Sequence, residues 1–249
     1  IAELPMDFPL ARAQLYMAAD FSDTYVPFTN TKAFLDPAGG GSDESVIIAT
    51  ASVGPYIHVI GMYVYHGGQT EENIKEAVEW CDKHGVLDLT IEDNMGHGTV
   101  VNMYRGEIRR QGLVIGCSGV YSSGQKEMRI INRLNAVLER HRLVIHWSVL
   151  EEDVRLCRGM ANGGREYSLF WQMQNITLDR DSIPHDDRVE TLSAAVYLHV
   201  EALQQDEHEE QNKRVAAAAR EFIENPMGYD DAKWRSHHKQ QRGTRRRVR

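Results

Sequence analysis

Ala33-Phe34-Leu35-Asp36-Pro37-Ala38-Gly39-Gly40-Gly41 reads as a short apolar strand that ends on a carboxylate and runs into a glycine turn. Proline at position 37 biases Asp36 towards extended geometry, which sets the carboxylate on rigid backbone. The glycines leave room beside it for a metal ion or a phosphate. The same residues also suit an ordinary hairpin turn. Around this stretch, Lys32 to Asp36, Ser45 to Ser52 and Tyr56 to Tyr65 are three β-rich runs separated by glycine turns, the pattern of an antiparallel meander.

Beyond the meander, strands and helices alternate. Thr70 can cap a helix whose Ile74, Ala77, Val78 and Cys81 share one face, with Glu71 and Glu72 in its first turn and Gly85 at its end. Val86 to Ile91 reads as a buried strand finishing at Glu92-Asp93-Asn94. A helix follows from Thr99 to Arg110, then a strand from Leu113 to Cys117, a helix from about Gln125 to Arg140 and a strand from Arg142 to His146. Residues 150 to 180 carry no decisive pattern, and Arg155 to Tyr167 reads as a loop or hairpin. From Asp187, the positions Val189, Leu192, Val196, Val200 and Leu203 mark a long amphipathic helix. Ala216 to Ile223 suits a last surface helix. The order βββ-α-β-α-β-α-β predicts an α/β fold: three antiparallel strands followed by parallel ones in a mixed sheet, with helices on both faces.

The 249 residues, 42% of them apolar, suffice for one large domain with extensions. Residues 1–30, with Pro5, Pro9 and Pro27, read as a lead-in, 31–205 as the domain and 206–249 as a helix and tail. The start Ile1-Ala2-Glu3-Leu4 lacks an initiating Met and a basic leader, which suggests a fragment. No apolar run approaches the roughly 20 residues of a membrane span. Cys81, Cys117 and Cys157 are widely spaced and suggest neither a disulfide framework nor a zinc site. The net charge of -8 is uneven: eight Lys and Arg and no acidic residue fall between Lys233 and Arg249. Such a tail suits a polyanion, or serves solubility alone.

Three acidic positions close or open elements: Asp36 and Glu92 at strand ends, and Asp186-Asp187 at a helix start. If the first and fourth strands are neighbours, these carboxylates meet. A cluster of that kind is unstable without cations, and oxygen-only donors suit Mg²⁺ or Mn²⁺. Two such ions about 4 Å apart would clamp a phosphodiester, with no protein nucleophile required. The chain has no GxSxG, Walker or HExxH motif to suggest other chemistry. Each residue has a plainer alternative: a turn for Asp36, a first solvated position for Glu92, and a helix cap for Asp187 with Glu190 three residues on. His185 could orient a ligand or sit in a loop, and Asp43 and Glu44 could add a carboxylate or begin a strand. Lys126, Arg129, Arg133 and Arg140 form one basic stripe opposite the apolar Ile130, Ile131, Leu134, Val137 and Leu138. The stripe suits a phosphate backbone or an ordinary solvated face.

Four motifs together resemble the C-terminal nuclease domain of terminase large subunits of tailed phages, especially short-tailed ones. They are Leu35-Asp36-Pro37-Ala38-Gly39-Gly40-Gly41; Ile91-Glu92-Asp93-Asn94 with Gly96; Ser123-Gly124-Gln125-Lys126-Glu127 with Arg129 and His141-Arg142-Leu143-Val144-Ile145; and His185-Asp186-Asp187-Arg188. The resemblance implies an RNase H-like fold and an endonuclease that uses two Mg²⁺ or Mn²⁺ ions to cut concatemeric double-stranded viral DNA during packaging. Asp36, Glu92 and Asp187, with Asp186 beside it, would be the metal ligands; Lys126 and Arg129, joined by Arg133 on the stripe, would contact DNA. Where many relatives have an aspartate three residues after the second Asp, this chain has Glu190, which leaves a fourth ligand open. The resemblance further implies an N-terminal ATPase domain outside this chain, partnership with the portal protein and the small subunit, no membrane, and a place in the host cytoplasm at the procapsid. Competing readings are a Holliday-junction-resolvase-like nuclease of the same fold, a non-catalytic capsid or portal docking module, and an actin-like or sugar-kinase nucleotide site. The last would require a second glycine-rich hairpin and a domain duplication, and the chain has neither.

Overall fold

The computed structural model describes residues 2–3, 16–17, 28, 30–39, 43–94 and 98–199. Most of the lead-in, Gly40, Gly41, Gly96, the helix expected at 216–223 and the basic tail lie outside these residues. Strands β1 (Ala2–Glu3) and β2 (Tyr16–Met17) form a short pair of their own. The main sheet holds β3 (Lys32–Asp36), β4 (Ser45–Val53), β5 (Tyr56–Tyr65), β6 (Asp88–Glu92), β7 (Gly116–Val120) and β8 (Leu143–Ile145). Its order is β7-β6-β3-β4-β5-β8. The β3-β4-β5 meander is antiparallel, while β6 lies parallel to β3, β7 to β6 and β8 to β5.

The central strand β3 is buried on both faces, as its apolar run requires. Ala33 and Leu35, with Ile47, Ala49 and Ile91, pack into a core shared with Ile74, Ala77, Val78 and Cys81 of α1 (Glu71–Lys83) and Val101, Tyr104 and Ile108 of α2 (Thr99–Arg110). Thr70 caps α1 as expected, its hydroxyl accepting from the Asn73 amide at 3.2 Å. Gly85 ends that helix in left-handed backbone at φ 65°. On the opposite face the helix spanning 187–199, here α6, crosses the same strands. Thr50 Oγ1 reaches the Ala195 carbonyl at 3.3 Å and His199 Nε2 at 3.1 Å, and Lys32 Nζ donates to the Leu198 carbonyl at 3.1 Å. The mixed sheet is therefore covered on both faces.

Two stretches differ from the sequence reading. β7 begins at Gly116 rather than Leu113, because Leu113 and Ile115 pack against the core ahead of the strand while the small residues Gly-Cys-Ser-Gly-Val pair with β6. Arg155 to Tyr167 is not a hairpin. It contains the end of α4 (Trp147–Arg158) and a 3-10 helix, Ala161–Tyr167, after which come α5 (Leu169–Asn175) and the 176–186 connection. The buried face of α4 is Val149, Leu150, Asp153 and Cys157. An aspartate where a helical stripe would carry leucine disguises the period.

Gly61 marks a close approach. A β-bulge shifts the register between Ala49↔Gly61 and Thr50↔Val59, and a Cβ on Gly61 would lie 2.8 Å from Trp80 Cζ2 and 2.9 Å from His84 Cδ2 of the α1 end. Gly61→Ala is expected to cost about 1–3 kcal/mol in a urea melt, since two packed rings would have to shift; an unchanged midpoint would show that they move freely.

Candidate active site

The register pairs Leu35 with Ile91, so Asp36 and Glu92 close two adjacent parallel strands at the same end of the sheet. The start of α6 reaches this edge. Burial, then the charges of Glu190, Glu92 and Asp187, hold the Asp36 carboxyl well above the usual carboxylate range. Asp36 therefore lies within electrostatic reach of the other three. Burial, followed by Asp186, pushes Asp187 up to about 6, with Glu44 and Asp43 adding to the rise. Burial also raises Glu190, with Glu92 contributing, although Lys126 and Arg129 oppose the shift.

Cations from α3 (Lys126–Leu138) offset part of this charge. Lys126 Nζ lies 2.8 Å from Asp186 Oδ1 and 2.5 Å from Glu190 Oε2, and Arg129 Nη2 pairs with Glu190 Oε1. Burial alone would lower the Lys126 pKa, but Glu190 and Asp186 more than reverse this and hold it charged. The front of the basic stripe thus turns towards the carboxylates. Arg133 Cζ sits 4.4 Å above the Tyr197 ring, a cation-π contact with α6.

α6 is held in place from below. Arg188, fully buried, donates through Nε and Nη2 to Glu44 at 2.9 and 2.7 Å and through Nη1 to Asp153 at 2.8 Å. Asp153 also accepts from the Leu169 amide at 2.9 Å and the Ser168 hydroxyl at 2.7 Å, which caps α5. Glu44 is thereby engaged as a structural partner at the start of β4. Asp187 is the first residue of α6, and the carboxylate of Glu190 goes to α3 rather than back to the helix start, so the capping-box alternative is set aside. The early amide of Val189 instead donates to the Gln172 side chain at 2.9 Å. His185 stacks on Tyr167 with ring centroids 3.8 Å apart.

Glu190 is the site residue that sequence reasoning undervalued. Its place one turn after Asp186, on the same side of the expected helix, was the available signal. Asn94 also went unweighed; its amide donates to Glu92 Oε1 at 2.9 Å. All the clustered donors are carboxylate oxygens, a chemistry that suits a hard divalent cation. Among the described residues, no group of three or more His, Cys, Asp or Glu is already drawn together closely enough to hold a metal ion. The donor set fits such an ion in kind and charge, with Lys126 supplying positive charge in the arrangement described.

The chain is similar to several known proteins. Residues 35–143 match the family model described as "Terminase Bacteriophage T7, Ribonuclease H-like domain". The large terminase subunit of Enterobacteria phage T3 is 25% identical over 195 residues, which are 78% of this chain and 33% of that protein, so the chain spans about a third of its length. The human cytomegalovirus terminase nuclease domain, Mn soaked and inhibitor bound, is similar in fold: TM-score 0.50 and 15% identity, covering 69% of this chain and 83% of that one. The nuclease domain of the large terminase subunit of bacterial virus Sf6 matches with TM-score 0.47 and 10% identity, over 69% of this chain and 90% of that chain. No helix among the described residues is long and apolar enough to cross a membrane.

Two outcomes follow from the geometry. Without divalent cations, Asp187, Asp36 and Glu190 keep protons in the folded state that the unfolded chain has already lost. Their raised values stabilise the fold fully below about pH 4, the ordinary carboxylate range, and that stability is lost as pH rises through about 6 for Asp187. Burial lowers His58, His146 and His199, which adds stability in the opposite direction over the same range. The check is therefore a comparison of thermal melts from pH 4 to 8. The unsubstituted chain should lose stability relative to Asp187→Asn as pH rises through about 6, and identical pH dependence in the two contradicts the carboxylate cluster. Arg188→Ala strands two buried carboxylates and is expected to lose about 3–5 kcal/mol in denaturant melts.

Proposed function

We propose that this domain is a Mg²⁺- or Mn²⁺-dependent endonuclease that hydrolyses phosphodiester bonds of double-stranded viral DNA during genome packaging. The observation that carries the reading is Asp36, within the segment that matches the terminase RNase H-like family model, closing the central strand with Glu92 at the end of the neighbouring strand and Asp187 and Glu190 acting on it. The phage T3 relative is a large terminase subunit, and the cytomegalovirus nuclease domain of similar fold was soaked with Mn. Asp36, Glu92 and Asp187 would hold the cations, two in number, with Asp186 beside them. When bound, such ions supply Lewis-acid stabilisation of charge developing on a phosphoryl group.

The chain's own residues frame that chemistry. Asp36 and Glu92 present carboxylates from adjacent strands of the core, so their separation is set by the sheet. Lys126 and Arg129 hold Asp186 and Glu190 and keep positive charge at the mouth of the cluster. The DNA backbone would engage these cations with Arg133, contacts that fix position without reading sequence. An ATPase motor, the portal and the small subunit would act with this domain at the procapsid in the host cytoplasm, and the basic tail would add contact with DNA or portal.

Linear double-stranded DNA should be cut with Mg²⁺ or Mn²⁺ and left intact with chelator, and Asp36→Ala should reduce cutting to background. Cleavage retained in Asp36→Ala would falsify the assignment. Preference for a four-way junction over the linear duplex would instead favour a resolvase.

A further inference from the structure

Asn94 stands between two structural units of the site. Its Oδ1 accepts from the Ser122 backbone amide at 2.9 Å, and its Nδ2 donates to Glu92 Oε1 at 2.9 Å. The orientation of the amide follows from its neighbours: a flipped side chain would set two donors together at Ser122 and an oxygen against the Glu92 carboxylate. Ser122 belongs to the loop between β7 and α3, the helix that carries Lys126 and Arg129. The last residue of β7 and this loop are also fixed beside the end of β6, through the Asp93 amide donating to the Val120 carbonyl at 2.9 Å and the Tyr121 hydroxyl reaching Asp93 Oδ2 at 3.4 Å. Asp93 Oδ2 in turn accepts from the Gly98 amide at 2.6 Å, where α2 begins.

We infer that Asn94 is a positioning residue: held by the Ser122 amide, it orients the Glu92 carboxylate so that Oε2 is the oxygen offered to a cation. The inference rests on the proposed metal role of Glu92 and deepens it. Glu92 is itself buried, so one hydrogen bond at Oε1 has few competitors and restricts the side chain's rotation. Asn94 is exposed and packs no core, so its loss costs orientation rather than folding. Partners of this kind beyond the ligands themselves set metal affinity by fixing the ligand's geometry.

The test is a double-mutant cycle on the full chain, read by calorimetric titration with Mn²⁺ and by melting without metal. Asn94→Ala is expected to weaken Mn²⁺ binding about 10–100-fold while the metal-free melting temperature stays at that of the unsubstituted chain. In a Glu92→Gln background the same change should cost nothing further, because the residue acts through Glu92. Unchanged Mn²⁺ affinity in Asn94→Ala, or an equal loss in both backgrounds, overturns the positioning role and leaves the nuclease reading standing. A lowered metal-free melting temperature with proportionate loss of binding overturns it as well, by assigning Asn94 to the fold. If the unsubstituted chain takes up no Mn²⁺, the metal reading itself fails and this role falls with it.

Discussion

The buried ion triad of Arg188 with Glu44 and Asp153 is the constraint on which the site depends. It fastens α6 to the start of β4 on one side and to α4 on the other, with the α5 N-terminus drawn in through Asp153. Charges this deeply buried are tolerated only when their hydrogen bonds are satisfied, and the bidentate Glu44 pair, the Asp153 pair and the Ser168 and Leu169 donors meet that demand. Arg188 directly follows Asp187, so fixing the guanidinium fixes where α6 presents its acidic face. Without that anchor, the repulsion between Asp36 and the acidic residues of α6 would be opposed only by the α3 cations and the contacts of α6 with the sheet.

Around this anchor the site balances repulsion against attachment. Carboxylates arrive from β3, β6 and α6, and two cations arrive from α3. Each element is held for reasons of packing or ion pairing that operate away from the carboxyl groups: the shared core under Leu35 and Ile91, the α6 contacts with Thr50 and Lys32, and the stack of His185 on Tyr167. The fold thus keeps together groups that local electrostatics alone would separate. This is the usual condition of a reactive centre, where perturbed carboxylates are maintained by the rest of the structure.

Much of this was legible in the sequence, for identifiable reasons. The meander could be read because the strand runs are apolar and broken by glycine, and α1 because Thr70 and Gly85 bracket an amphipathic face. Asp36 and Glu92 could be paired because both end predicted strands. The region from 147 to 175 was not legible, since its buried face includes Asp153, whose partner Arg188 is 35 positions away and indistinguishable in sequence from a surface arginine. Likewise the stripe of Lys126 and Arg129 looked solvent-facing, and only tertiary structure shows it meeting Glu190. Polar residues buried in pairs carry no periodic signal until their partners are known.

The crossing of α6 over the central strands also sets an order of events. The clustered groups run from residue 36 to residue 190, with α6 last to leave a ribosome. The sheet's core can gather from the earlier elements, but Asp36 and Glu92 meet their remaining partners only after the chain has been synthesised almost to residue 200. Contacts of such sequence separation close late because the intervening loop must first lose its freedom. A nascent chain therefore carries half of the cluster, two carboxylates on a sheet, and the rest arrives with α6.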